Sequence, residues 1–278
     1  MPRATLGRSG MTARIHQLCT GSAVVKEAVR RGASAPFRRT AIFTDRRWSS
    51  PLPISCWLIE HDEGPILVDT GELATAVDMP FVRFEVTRYD EVDAHLGRLG
   101  VAPSDLRHVV LTHGHADHID GLARLPGARA SISEAELRAV HGPVARSNRR
   151  MLRTPLPPGF DPSPLRLRPQ AFGAFAESLP LTADGSVVVV PTPGHTPGHL
   201  SVVVVIDGRH HFLAGDATYD QDQLLAVRVD GLAPQAATAR ETMRTILRHA
   251  ALHPTVYLPS HDVGAHDRLL GGELLRPA

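Results

Sequence analysis

Lysine is almost missing from this chain of 278 residues, which contains a single lysine and 29 arginines. Lysine and arginine together number 30 against 29 acidic residues, so the formal net charge is only +1. Proteins that bind nucleic acid by neutralising phosphates usually carry a basic excess. The charge balance therefore argues against a nucleic-acid partner.

Cysteine and long apolar runs are also scarce. Two cysteines, Cys19 and Cys56, are too few for a disulfide framework, although a single bridge between them is left open. The longest apolar runs, Val187–Val190 and Val202–Ile206, are far below the ~18 residues that span a bilayer, so we expect no membrane partner. Residues 1–14 lack the apolar segment of a signal peptide. We expect them to form a flexible extension of a cytoplasmic monomer or homodimer.

The remaining residues, 15–278, show no internal repeat and no break in composition, which predicts one domain. Two successive blocks of strands and helices predict two packed sheets with helices on their outer faces. The Pro- and Arg-rich stretch 142–169 is predicted to be an irregular lid or binding loop. Strands are predicted at Leu52–Glu60, Pro65–Asp69, His108–Leu111, Ala130–Ile132, Val187–Val190, Ser201–Ile206, His210–Leu213 and Thr255–Leu258, and helices at Asp90–Leu99, from Ala116, from Ser133 and at Gln235–Ala250.

Histidine is abundant, with 16 copies, and one short segment concentrates it. The segment His113-Gly114-His115-Ala116-Asp117-His118 places four candidate metal ligands within six residues. It follows a predicted strand, so that His113 and His115 alternate in the chain and point the same way. Neutral imidazole is the commonest metal ligand in proteins.

Three further candidate ligands follow predicted strands elsewhere in the chain. They are His195 in Pro193-Gly194-His195, Asp216 in Gly215-Asp216, and His261 in Ser260-His261. Each has a Gly, Pro or Ser neighbour that lets the backbone turn sharply. A catalytic zinc usually has three protein ligands and one open position, so seven candidates suit a pair of cations.

This order of motifs resembles that of the metallo-β-lactamase fold hydrolases, from about Ile54 to His261. The resemblance implies a four-layer αβ/βα sandwich, in which two mixed β-sheets carry helices on their outer faces and hold two divalent metal ions. Asp69, in Asp69-Thr70-Gly71, is similar to an early family Asp that orients ligands. The resemblance implies a first metal held by His113, His115 and His195, a second held by Asp117, His118 and His261, and Asp216 as the bridge. Such ligands suit zinc, and also iron, manganese or cobalt.

Within that superfamily, the sequence is most similar to the N-acyl-homoserine lactone lactonases. The similarity lies in the segments Cys56–Ile59, Glu63–Gly71 and Thr192–Ser201, and in Tyr219, three residues after Asp216. It implies a lactone substrate whose ring is opened by a metal-bridging hydroxide. Tyr219 would stabilise the oxyanion, and Asp117 would carry the proton to the leaving alkoxide.

One departure leaves the acyl-chain preference open. Gly114 and Ala116 stand where those lactonases tend to carry bulkier residues. Three alternatives also remain: a lactonase for another lactone, a thioester hydrolase of the glyoxalase II type, and a metal-binding scaffold without turnover. The glyoxalase II type shares the His-rich motif and the bridging Asp.

The other histidines are assigned less specific roles. His199 is expected to hydrogen-bond behind the ligands rather than to bind metal. His210 and His211 open a strand, so alternation turns only one of them inward, and a surface position is the default expectation for histidine. His249 and His253 have no partner at ligand spacing and are expected to be structural or exposed.

Overall fold

A computed structural model of the protein describes residues 13–32 and 38–277. Residues 1–12 of the predicted extension lie outside the described residues. Arg14, which was assigned to that extension, instead opens the first strand. The strands are β1 (Arg14–Val25), β2 (Leu52–Glu60), β3 (Ile66–Val68), β4 (Val82–Glu85), β5 (His108–Val110), β6 (Ala130–Ser133), β7 (Ser163–Leu165), β8 (Leu179–Pro180), β9 (Val187–Pro191), β10 (Leu200–Ile206), β11 (Arg209–Gly215) and β12 (Thr255–Pro259). The helices are α1 (Glu27–Arg31), α2 (Arg38–Thr44), α3 (Val92–Arg98), α4 (Ala116–Ile119), α5 (Glu134–Val140), α6 (Pro143–Leu152), α7 (Gln221–Leu225), α8 (Ala236–Leu252) and α9 (Ala265–Gly271).

The strands form two mixed sheets. The first has the order β4-β1-β2-β3-β5-β6-β7, and the second has the order β12-β11-β10-β9-β8. In the first sheet β3, β5, β6 and β7 run parallel, whereas β1, β2 and β4 pair antiparallel. In the second, only β11 and β12 pair in parallel.

The second sheet is buried on both faces, as its valine-rich strands require, because one face packs against the first sheet and the other against helix α8. Alternate residues of β9 point to opposite faces, as the pleat requires. Val187 and Val189 pack between the sheets with Trp57 of β2, whereas Val188 and Val190 pack outward against α8. On the first sheet, α3 covers the outer face. The four-layer αβ/βα sandwich predicted from the sequence is therefore confirmed.

The strand directions bring several carboxyl ends to one edge of the sandwich. In the first sheet, β3 and β5 run parallel and end next to Asp69 and His113. In the second, β9, β11 and β12 share one direction and lead into His195, Asp216 and His261. Side chains from both halves of the chain therefore meet on rigid supports.

The stretch 142–169 was predicted to be an irregular lid or loop, but part of it is regular. Its first part forms helix α6, and β7 lies further along. Pro143 stands in the first turn of α6, where a missing backbone N–H costs nothing, and arginine is a good helix former. Proline at this position therefore marked a helix start rather than a loop.

The expectation that only one of His210 and His211 would be turned inward, with a surface position as the default, was also wrong, because both side chains are buried. Strand β11 lies between β10 and β12, and helix α8 covers its outer face, so neither face of the strand is open to water.

The two cysteines do not form a bridge. Cys56 is fully buried, Cys19 is exposed, and both are free thiols. Over the part of the chain that the structure describes, no helix combines the length and apolar character needed to cross a bilayer.

Candidate metal centre

A first cluster of metal-capable side chains joins the early histidine motif to later strands. It consists of His113, His115, His195 and Asp216, whose ligand atoms lie within 4.8 Å of one another. Nδ1 of His115 lies 2.9 Å from Nε2 of His113 and 2.9 Å from Nε2 of His195. Three imidazoles, from loops 80 residues apart in sequence, thus direct their nitrogens at one point.

A second cluster lies beside the first and contains Asp117, His118 and His261. Oδ2 of Asp117 is 3.4 Å from Nε2 of His261. The side chains of His118 and His261 are 1% and 3% exposed, whereas that of Asp117 is 16% exposed. Asp117 is therefore the member of this cluster that reaches towards solvent.

Asp216 stands between the clusters and divides its two carboxylate oxygens between them. Oδ2 lies 3.4 Å from Nε2 of His195, in the first cluster. Oδ1 lies 3.3 Å from Nε2 of both His118 and His261, in the second. The structure thus brings all seven predicted ligands together, with Asp216 at the position expected of a bridge.

The carboxylates divide the histidines into two electrostatic groups. Burial lowers the pKa of His113 well below its usual value and that of His115 to about 4, so both are neutral. Burial also opposes protonation of His118, but Asp216 and Asp69 outweigh it and raise the pKa well above the usual value. The centre therefore favours positive charge beside its carboxylates.

The same balance holds for the remaining ligands. Burial opposes charge on His195 and His261, but Asp230 and Asp216 raise the pKa of the first, and Asp216 that of the second. Although burial favours its neutral form, Asp216 has a pKa held well below its usual value by His261 and His118.

The donor set fits a pair of divalent cations. Nε2 of His118 and Oδ1 of Asp216 are buried and have no hydrogen-bond partner among the described residues. Buried polar atoms without partners are costly, and a cation between them would satisfy both. Imidazole nitrogens and carboxylate oxygens are ligands for zinc and for iron, manganese or cobalt.

Asp69 and His199 hold the ligands from behind, as the sequence predicts. Asp69 accepts hydrogen bonds from the backbone N–H and hydroxyl of Thr112 and lies 2.8 Å from Nδ1 of His118. Nε2 of His199 accepts a hydrogen bond of 3.0 Å from the backbone N–H of Asp216, and its Nδ1 contacts the hydroxyl of Thr192. Partners of this kind fix the orientation of ligating rings.

Two supporting contacts were missed by sequence reasoning. Oδ2 of Asp230 lies 3.4 Å from Nδ1 of His195, and the carbonyl of Pro53 lies 2.8 Å from Nδ1 of His261. Asp230 stands in a loop with no ligand spacing, and Pro53 contributes only backbone. Neither position carried a local sequence pattern that could have identified it.

Tyr219 contacts both clusters. Its ring stacks on His261 at a centroid distance of 5.3 Å and meets His195 edge-on at 6.2 Å. Burial, together with the charge of Asp216, raises the pKa of Tyr219 well above its usual value. The phenol is therefore protonated at neutral pH and can donate a hydrogen bond.

Proteins of similar sequence include probable metallo-hydrolases and N-acyl homoserine lactonases. A probable metallo-hydrolase of Mycobacterium tuberculosis is 36% identical over 179 residues, covering 60% of this chain. The chain spans 57% of that relative's length. The N-acyl homoserine lactonase AttM of Agrobacterium fabrum is 25% identical over 228 residues, which cover 77% of this chain and 83% of AttM.

Solved structures share the fold. An N-acyl homoserine lactone hydrolase with the product N-hexanoyl-L-homoserine bound at its catalytic metal centre superposes with a TM-score of 0.72. That pair is 20% identical over 92% of this chain and 96% of the other. AidC, a dizinc quorum-quenching lactonase, gives a TM-score of 0.60 at 18% identity, covering 90% of this chain and 88% of AidC.

The family model of the metallo-β-lactamase superfamily matches residues 49–261. That range contains both clusters and the strands that carry them. The chain belongs to the metallo-β-lactamase superfamily.

Proposed function

We propose that this protein is a dinuclear-metal-dependent hydrolase that opens lactone rings, with N-acyl homoserine lactones as the substrate class. The observation that carries the proposal is the divided carboxylate of Asp216, which contacts histidines of both clusters. A pair of metal sites sharing one carboxylate is suited to hydrolysis at a carbonyl. Relatives named as N-acyl homoserine lactonases support the substrate class.

The two cations would be held by the clusters defined above, with Asp216 shared. Divalent cations in such a pair lower the pKa of water towards neutrality and polarise a carbonyl oxygen. The ligand frame is preorganised, because most of its members follow strand ends, and Asp69 and His199 hydrogen-bond to His118 and Asp216 from behind.

Tyr219 is assigned to the carbonyl oxygen of the substrate. Its ring lies between His195 and His261, and its phenol is protonated at neutral pH. A positioned donor of this kind stabilises the negative charge that develops when the carbonyl is attacked. In a water-poor site, such a donor is worth a few kcal/mol.

Asp117 is assigned to the leaving oxygen. It is the most exposed member of the second cluster, so one of its oxygens can face the substrate. A carboxylate at this position can take a proton from the nucleophilic water and give it to the alkoxide that leaves the carbonyl. In a lactone, that alkoxide stays within the product, so the ring opens into one hydroxy acid.

A hydrolysis panel tests the proposal on the purified full chain. It contains N-acyl homoserine lactones of short and long acyl chains, simple γ- and δ-lactones, a thioester, a β-lactam and a phosphodiester. We expect the homoserine lactones to be hydrolysed fastest, with turnover lost on chelation and restored by Zn²⁺ or Co²⁺. Thioester turnover far above lactone turnover would instead support the glyoxalase II type, and absence of all turnover in the metal-replete protein would support a scaffold.

A further inference from the structure

Glu136 is a buried carboxylate that touches none of the seven ligands, yet it links the two loops that carry the first cluster. It is 2% exposed. Its Oε1 accepts a hydrogen bond of 3.1 Å from the backbone N–H of Gly114, and its Oε2 accepts one of 2.9 Å from that of Gly198. Gly114 separates His113 from His115, and Gly198 lies three residues after His195.

The position of Glu136 in helix α5 makes this arrangement unusual. Ser133 caps the helix by accepting a hydrogen bond from the backbone N–H of Glu136. In a Ser-x-x-Glu capping box, the glutamate side chain normally reaches back to the backbone N–H of the capping residue. Here, both oxygens of Glu136 accept from the ligand loops instead. Local helix capping therefore does not explain the side chain's conformation.

Ser133 gives a second link to the same loop. Its hydroxyl donates a hydrogen bond of 2.6 Å to the carbonyl oxygen of Gly198. Gly198 is thus held at both its N–H and its C=O by the first turn of α5.

Neither Gly114 nor Gly198 leaves room for a side chain. A Cβ on Gly114 would overlap Cγ2 of Val140, and a Cβ on Gly198 would overlap the backbone N of Glu136 and Oγ of Ser133. Helix α5 therefore lies against the two loop backbones more closely than any side chain would allow. This packing explains why a glycine separates the first two histidines.

The second cluster is supported by other groups. Asp69 contacts Nδ1 of His118, and the carbonyl of Pro53 contacts Nδ1 of His261. Over the described residues, the carboxylate of Glu136 hydrogen-bonds to neither of those supports but to Gly114 and Gly198. A carboxylate buried beside neutral amides is costly, and burial raises the pKa of Glu136. The Thr196 side chain and the hydrogen bonds from the backbone N–H groups of Gly198 and Gly114 oppose that rise in pKa.

We propose that Glu136 is a positioning residue that sets the spacing between the His113–His115 loop and the His195 loop, and so controls cation affinity at the first cluster only. This inference rests on the dinuclear site of the proposed function. Its test measures cation binding rather than lactone turnover, so a protein that bound two cations without hydrolysing lactones would contradict the function and leave this inference standing.

The primary test is Glu136→Gln in the full chain, titrated with Zn²⁺ after removal of metal. The amide keeps the shape of the side chain but turns one acceptor into a donor that faces a backbone N–H, which releases one loop. Substitutions of supporting residues at metal sites typically lower affinity by about 10–100-fold. We expect a loss of this size in one of two binding steps, with the other step unchanged, and about one cation retained after dialysis.

Matched variants distinguish a change in the spacing of the two loops from the loss of a negative charge and from general destabilisation of the protein. Glu134→Gln removes a charge from the same helix turn, but its side chain is 42% exposed and pairs with Arg138 and Arg166. We expect it to keep both binding steps. Glu136→Asp keeps the charge but is one methylene shorter and cannot reach both glycines, so we expect it to lose first-cluster affinity as well.

Ser133→Ala is the milder variant in case Glu136→Gln does not fold, as judged by circular dichroism. It removes one link to Gly198, so we expect a smaller loss confined to the same step. Co²⁺ absorption spectra identify the affected cluster, because the first is built from three imidazoles and the second from two. Equal losses in both steps, or wild-type affinity in a folded Glu136→Gln or Glu136→Asp protein, would overturn the proposal.

Discussion

Strand β11 has a histidine cluster at each end, and the two clusters differ in what surrounds them. At its carboxyl end, Asp216 lies among the histidines of the metal centre. At its amino end, His210 lies against His249 of helix α8 and against His253, which directly follows that helix. We call His210, His249 and His253 the distal histidine cluster. Nδ1 of His210 is 2.9 Å from Nε2 of His249, and the His210 and His253 rings stack at 4.4 Å.

The distal histidine cluster has aromatic neighbours where the metal centre has carboxylates. Phe172 stacks on His210 at 5.4 Å and on His249 at 5.6 Å. Burial lowers the pKa of His210 to about 4 and that of His249 to about 3. Over the described residues, groups able to hold a metal occur at the centre but not here. Three imidazoles can hold a cation by themselves, but the ring nitrogens of the distal histidine cluster do not converge on one point as the ligand atoms of the candidate metal centre do.

Asp216→Asn would break this comparison most severely, because it removes the shared carboxylate from the metal centre. Both clusters contact Asp216, so both should lose cation affinity by more than the ~10–100-fold that substitution of a supporting residue costs. Metal content by mass spectrometry and lactone turnover measure the effect. Asp222→Asn, at an exposed position of α7, is the control and should keep both cations. Full metal content in Asp216→Asn would contradict the bridging role.

Tyr219→Phe separates catalysis from cation binding within the metal centre. We expect kcat for lactones to fall about 100-fold, since a single oxyanion donor is typically worth about 10²–10³-fold. Metal content should not change, because the variant keeps all seven candidate ligands of the two clusters. The control is Tyr257→Phe, which is equally buried and whose hydroxyl contacts Thr218. Unchanged turnover in Tyr219→Phe would remove the tyrosine from the mechanism.

The distal histidine cluster should show a smaller effect, which appears in stability against pH. The folded pKa of His249 lies below the usual 6.5, so the unfolded chain binds more protons between the two values and stability falls as the pH drops below about 6.5. His249→Gln keeps a polar partner for His210 but does not titrate. Between pH 6.5 and 4, we expect the variant to lose about 1–2 kcal/mol less stability than the wild type.

Urea unfolding at several pH values, with chelator present, measures this difference. His266→Gln, at an exposed position, should keep the wild-type dependence of unfolding free energy on pH. If His249→Gln also kept that dependence, the distal histidines would not be held neutral by burial.

Sequence patterns predicted most of the central strands because these are apolar on both faces. The valines of β9 and β10 formed runs that could only be buried, and the hairpin of β2 and β3 had a clear turn. Strand β1 was missed, since Arg14–Val25 mixes polar and apolar residues without strict alternation. Its burial pattern depends on partners that come later in the chain, β2 and β4.

The candidate ligands could be predicted because they follow recognisable apolar strands. The residues that hold those ligands in place could not all be predicted. His195, Asp216 and His261 each follow an apolar strand, and parallel strands end at one edge. That they bind metal stays a prediction. Glu136 and Asp230 act through contacts with distant loops, and no spacing in the sequence connects them with the histidines.

Helix α6 lies outside the strands and loops that carry the seven candidate ligands. Five of the seven candidate ligands follow strand ends, and Asp117 and His118 stand in the short helix α4. Helix α6, by contrast, has no buried residue and carries Val144 and Met151 exposed on its surface. We therefore expect substitutions at the exposed positions of α6 to leave the sandwich and the seven candidate ligands in place. Such separation would let selection alter the exposed surface of this helix without altering the candidate ligands.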